Sequence, residues 1–184
     1  MKHSAGFWLI FVNLLLAGCV SSNPDKYAGE DIIADQGYTQ FELLDSNNNT
    51  FNSSSIEGKV TIVNFFLTNC QNACSTITSD LTQLHDKYST NHSDNLSMLS
   101  ITVDPWRDSP NDLVYYMNYF NASWPHLTTD KFTDGDFSRV EQIWSDFGIM
   151  VIVTESENST SVSGRGHTVY YDVEHTNGIV IIGK

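Results

Sequence analysis

The chain has 184 residues, with 22 Asp+Glu against 9 Lys+Arg and a formal net charge of −13. Hydrophobic residues make up 40% and charged residues only 17%, so the chain can bury a core and does not read as disordered, and its length suits a single domain. Acidity on this scale, without any run of basic residues, excludes the usual basis for nucleic-acid binding, because phosphate backbones attract Lys/Arg clusters. Three cysteines are too few for a disulfide scaffold, and their odd number asks for a separate explanation of each.

In chain order, Lys2 and His3 precede the apolar stretch Ala5 to Ala17, which is followed by Leu16-Ala17-Gly18-Cys19. At about 1.5 Å rise per residue this stretch is too short for a bilayer core of about 30 Å, but it suits the apolar region of a signal peptide. The LAGC segment resembles a bacterial lipobox, which implies a lipoprotein signal peptide over residues 1–18 and a lipid anchor on Cys19; an ordinary signal peptide with an incidental cysteine is the plainer alternative. On the first reading, the polar residues 19–37 are a flexible tether and 38–184 the domain. The protein is then expected in the bacterial cell envelope, extracytoplasmic and lipid-anchored to a membrane, with its acidic body held off the surface. The Asn-x-Ser/Thr triplets at Asn48, Asn52, Asn91, Asn95, Asn121 and Asn158 are, in a bacterial chain rich in these residues, coincidence.

The segment from Thr39 to Lys59 reads as a strand, an Asn-rich turn and a return, hence an N-terminal hairpin. VTIVNFFL (60–67) is apolar almost throughout, as in a strand covered on both faces. From Ser75 the period changes: Ile77, Leu81, Leu84 and Tyr88 make one helical face, broken after Asn91. LSMLSITV (96–103) is a second buried strand. Ser109-Pro110 then opens a helix carrying Leu113, Val114, Met117 and Phe120. Residues 124–133 read as a loop, Phe137 to Phe147 as a third helix ended by Gly148, and 155–166 as a long polar loop. TVYYDV, a turn at 175–178 and IVII suggest a C-terminal hairpin. The order implies an α/β domain, a three-layer sandwich with a mixed central sheet.

Cys70 and Cys74 fall where the first buried strand gives way to a helix. Near the positive end of a helix dipole, thiolates are stabilised, and such a pair can exchange with disulfides or bind a soft metal such as Cu(I). A static disulfide or two small buried residues are the alternatives. A metal would need a further ligand. His85 lies mid-helix, His92 and His175 sit in polar turns, and all three read as solvated surface residues. His126 follows Pro125 without a partner in sequence. His167 ends the long polar loop and begins a strand, from where it could be brought to the cysteines. Asp104, Arg107 and Asp108 follow the second buried strand, a usual place for functional loops, although turn capping and an internal ion pair account for them as well.

VNFFLTNCQNAC, then LSITVDPWRDSPNDLVYYM, then GHTVYYDVEHTNG resemble, in this order, the SCO/SenC family of thioredoxin-like copper-binding proteins. The resemblance implies a thioredoxin-like fold and one copper ion held by Cys70, Cys74 and His167, with the cysteines also serving as a redox pair that forms a disulfide. It implies a metallochaperone assisting assembly of the copper centre of cytochrome c oxidase, with the copper-site subunit or another copper or thiol client as partner. An extracytoplasmic thiol-disulfide oxidoreductase acting on partner cysteines is the competing reading. The sequence departs from the family pattern at Asn69, Gln71 and Ser75 around the cysteines and at Gly166 before the histidine. The final family helix is not seen after IVIIG.

Overall fold

A computed structural model describes residues 29, 37–70, 73–92, 95–129, 137–157, 161–162 and 165–183. The signal peptide, Cys19 and all of the tether except Gly29 and Gly37 lie outside these residues. Every element belongs to the unit Ile32–Lys184.

The N-terminal hairpin pairs β1 (Glu42–Asp45) with β2 (Thr50–Asn52), Leu43 opposite Phe51. Asp45 builds its turn, since Oδ1 accepts from the amides of Asn47 and Asn49, both at 2.8 Å. The buried strand β3 (Val60–Phe66) runs parallel to β4 (Leu96–Thr102), and helix α1 (Ala73–His92) makes the crossover between them. Helix α2 (Pro110–Phe120) begins with a capping box. The Ser109 hydroxyl accepts from the Asp112 amide while the Asp112 carboxylate accepts from the Ser109 amide at 2.8 Å, and Pro110 occupies the first turn, where no amide is needed. Helix α3 (Ser138–Asp146) follows β5 (His126–Thr128) in sequence.

Alternation along β3 and β4 builds three layers. Ile62 and Met98 pack with Leu81 of α1 and with Trp124 on one face. Val63, Phe65, Leu99 and Ile101 meet Val140, Ile143, Trp144 and Phe147, the residues of and around α3, in the larger cluster. No helix among the described residues is long and apolar enough to cross a membrane.

Two departures from the sequence reading stand out. Residues 126–128, read as loop, form β5, whose three residues are all buried and which pairs in parallel with β4 and antiparallel with β1. The expected C-terminal hairpin does not form. TVYYDV divides into β8 (Thr168–Val169) and β9 (Tyr171–His175); β8 pairs with β7 (Ser161–Val162), and β9 pairs with β6 (Val151–Glu155). Strand β10 (Ile179–Ile182) leaves β9 and joins the main sheet beside β3, giving the order β10-β3-β4-β5-β1-β2. The apolar β10 buries Val180 there, while the alternating β9 finds a matching partner in β6.

His126 belongs to the core. The rings of Phe66, Trp124 and Tyr116 lie 5.1, 5.3 and 5.9 Å from its own, and Nδ1 donates to the Trp124 carbonyl at 3.0 Å. Burial, partly opposed by that bond, pushes its pKa down from 6.5 to about 4. The unfolded chain therefore binds a proton that the folded one refuses. His126 contributes stability fully present above pH 6.5 and lost as pH falls towards about 4. Relative to His126→Gln, the wild-type protein is expected to lose about 3 kcal/mol between these limits. Denaturant unfolding of both proteins across this pH range checks it, and the difference between them cancels the titration of the carboxylates.

Candidate functional site

The site forms where β3 and β4 end. After Phe66 the chain turns, with the Cys70 amide donating to the Leu67 carbonyl at 3.3 Å, and Cys74 lies in the first turn of α1. Cys70 and Cys74 are joined in a disulfide, their Cα atoms 5.9 Å apart. The Cys74 amide, one of the helix-start donors that lack an intrahelical partner, donates to Cys70 Sγ at 3.4 Å. Cys74 is only 2% exposed, whereas Cys70 is half-buried.

A buried carboxyl holds this turn. Asp108 accepts from the Thr68 hydroxyl at 2.5 Å and amide at 3.2 Å, and from the Thr102 hydroxyl at 2.6 Å. Burial and the neighbouring Asp104 charge push its pKa up to about 7 against those three bonds. Asp104 is itself raised, by burial first, although the Tyr171 hydroxyl donates to it at 2.7 Å and Arg107 approaches at 3.3 Å without hydrogen-bond alignment. Arg107 also lies 5.0 Å over the Tyr171 ring and donates to the Tyr171 carbonyl at 3.2 Å. Arg165 donates to the carbonyls of Pro105, Asp108 and Thr129 at 2.8, 3.1 and 3.1 Å. Residues 104–108 thus fasten the cysteine turn to the late strands. The charged cluster after β4 takes the structural role that the sequence left open.

The sequence-predicted cysteines come together, and the imidazole of His175 lies against Cys74. Its Nε2 lies 3.7 Å from Cys74 Sγ, and its Nδ1 lies 2.9 Å from the Thr176 carbonyl. The sequence reading of His175 as a solvated turn residue is corrected: it is half-buried, and burial lowers its pKa despite the carbonyl bond. The cause is the path of the chain, since β10 pairs Ile179 with Asn64 and so returns the preceding turn to the end of β3. The NG turn followed by an apolar strand was the signal; its partner strand was not readable. His167 is half-buried just before β8. Among the described residues, no group of three or more His, Cys, Asp or Glu side chains is arranged to hold a metal ion. The donor types present, two sulfurs in one turn with an imidazole beside them, fit a soft metal once the disulfide is reduced.

A parallel core with a disulfide-bonded cysteine pair at the junction of its first buried strand and the following helix defines a thioredoxin-like domain. The sequence pattern of the SCO1/SenC family matches residues 30–184, and the chain belongs to this family. A Stutzerimonas stutzeri protein named for copper binding is 30% identical over 129 residues, which cover 70% of this chain and 60% of that protein. The chain thus spans about 60% of that relative's length. The structure of Bradyrhizobium japonicum ScoI with copper bound is similar, with a TM-score of 0.65 and 20% identity, over 79% of this chain and 82% of that one. Yeast Sco1 superposes with a TM-score of 0.61 at 25% identity, over 79% and 80% of the two chains. The first of these is named for copper binding and the second holds copper.

Removal of the Asp108 carboxyl leaves two threonine hydroxyls and one amide without their acceptor. Asp108→Ala is expected to cost about 3 kcal/mol or more, and Thr68→Val about 1 kcal/mol. Denaturant unfolding measures both, and faster reduction of the Cys70–Cys74 bond by a dithiol reports loosening of the turn.

Proposed function

We propose that the protein is a copper-binding chaperone of the cell envelope, tethered to a membrane through lipidated Cys19 and residues 19–37, that serves assembly of the copper centre of cytochrome c oxidase. The observation that carries the reading is the cysteine pair held at the start of α1, with a nitrogen donor beside it. Membership of a family with copper-bound relatives supports the metal, and the lipobox-like LAGC segment supports the anchor. Copper is the cargo. In the reduced protein the Cys70 and Cys74 thiolates hold it, with His167 as the imidazole that the family resemblance assigns.

The disulfide gives the gating. When the two thiolates form the Cys70–Cys74 bond they surrender two electrons to a partner disulfide, which becomes a dithiol, and the sulfurs can no longer hold the metal. The same bond favours a second reading, in which the protein is a thiol-disulfide oxidoreductase for partner cysteines and copper is incidental. Copper titration of the reduced full chain against a Cu(I) chelator separates the two. One copper per chain is expected, with affinity reduced by more than about 100-fold in Cys70→Ala and in Cys74→Ala, beyond the effect of losing an outer-sphere partner. Tight copper retained by the double variant would sink the chaperone reading.

A further inference from the structure

An imidazole other than the one that the family resemblance assigns lies beside Cys74. His175 closes β9 opposite Val151 of β6. Its backbone is clamped there, because the Thr176 amide donates to the Met150 carbonyl at 3.0 Å and the Met150 amide donates to the Thr176 hydroxyl at 3.1 Å. The ring is oriented as well as placed. A carbonyl oxygen only accepts, so the 2.9 Å approach of Nδ1 to the Thr176 carbonyl puts the ring proton on Nδ1. Nε2 is left with its lone pair, and that is the nitrogen 3.7 Å from Cys74 Sγ. A histidine that donates one ring nitrogen to a backbone carbonyl and offers the other to a soft centre has the usual arrangement of a metal ligand.

We propose that His175 is a copper ligand at the Cys70–Cys74 pair, a nitrogen position additional to that of His167. The inference rests on the copper-binding reading above. Reduction of the disulfide by a dithiol delivers two electrons and two protons and breaks the S–S bond. Copper(I) then displaces the thiol protons to solvent, while His175 supplies a lone pair and releases no proton. The short polar side chain of Thr176 matters here only through its clamp, which keeps the imidazole at the end of β9 rather than in solvent.

The test compares the reduced full chain with His175→Ala, His175→Gln and His167→Ala, each loaded with Cu(I) against a chelator and, separately, with Cu(II) for spin-resonance and absorption spectra. Thermal unfolding of the copper-free proteins identifies any variant that fails to fold; the glutamine variant keeps side-chain bulk at the site. The expected result is a roughly 10- to 100-fold loss of Cu(I) affinity in both His175 variants. One nitrogen coupling should disappear from the Cu(II) spectrum, and added imidazole should restore it in His175→Ala. Wild-type affinity and unchanged nitrogen coupling in folded His175→Ala overturn the inference, while a wild-type chain that binds one copper leaves the chaperone reading standing. A wild-type chain that takes up no copper ends both.

Discussion

The structure around the cysteines depends on one buried carboxyl. Asp108 has no access to solvent and accepts three hydrogen bonds, two from Thr68 and one from Thr102. Thr102 ends β4 and Thr68 precedes Cys70 by two positions, so a single group couples the end of one parallel strand to the turn that leaves its neighbour. Such a group is costly to bury and more costly to leave without partners, which makes this geometry all-or-none. The turn carrying the sulfurs has little freedom to drift from the sheet.

The remaining architecture explains why the chemistry collects at this end of the sheet. Parallel strands β3, β4 and β5 present their carboxyl ends together, the edge at which open α/β sheets place their sites. The late part of the chain reaches that edge by two routes. The first is the 104–108 segment, to which Arg165 and Tyr171 are bonded. The second is β10, whose pairing along β3 brings the turn after His175 beside the cysteines. Membership of the SCO1/SenC family fits this layout.

What could be read from residues alone followed the length and period of each segment. VTIVNFF, LSMLSIT, the Ile77–Tyr88 face and the Ser109-Pro110 start each carry enough residues, or a strong enough cap, to declare their structure without knowing their neighbours. β5 does not, because three residues hold barely one alternation and their burial comes from β4 and β1. TVYYDV and IVII both looked like strands and are strands, but adjacency in sequence suggested that they pair with each other, whereas partners are chosen by surface. The same limit governed the site. The cysteines were visible through their position between strand and helix. His175 was not, because its neighbourhood is set by strand pairing at a distance in sequence; nor was the bond from Asp108 to Thr68, which joins residues 40 apart.

The unequal exposure of the two sulfurs gives the disulfide a direction. Cys70 is half-buried and open to an incoming thiolate, while Cys74 is 2% exposed and has His175 Nε2 3.7 Å from its sulfur. In the exchange proposed above, the mixed disulfide would form on Cys70, with Cys74 as the leaving group. The Cys74 thiolate would then resolve that intermediate, re-forming the Cys70–Cys74 bond and releasing the partner thiol. The helix-start amide that donates to Cys70 Sγ helps to keep that sulfur in line. A client of that exchange would need only to present a thiol to one sulfur, the resolving thiol being the buried one.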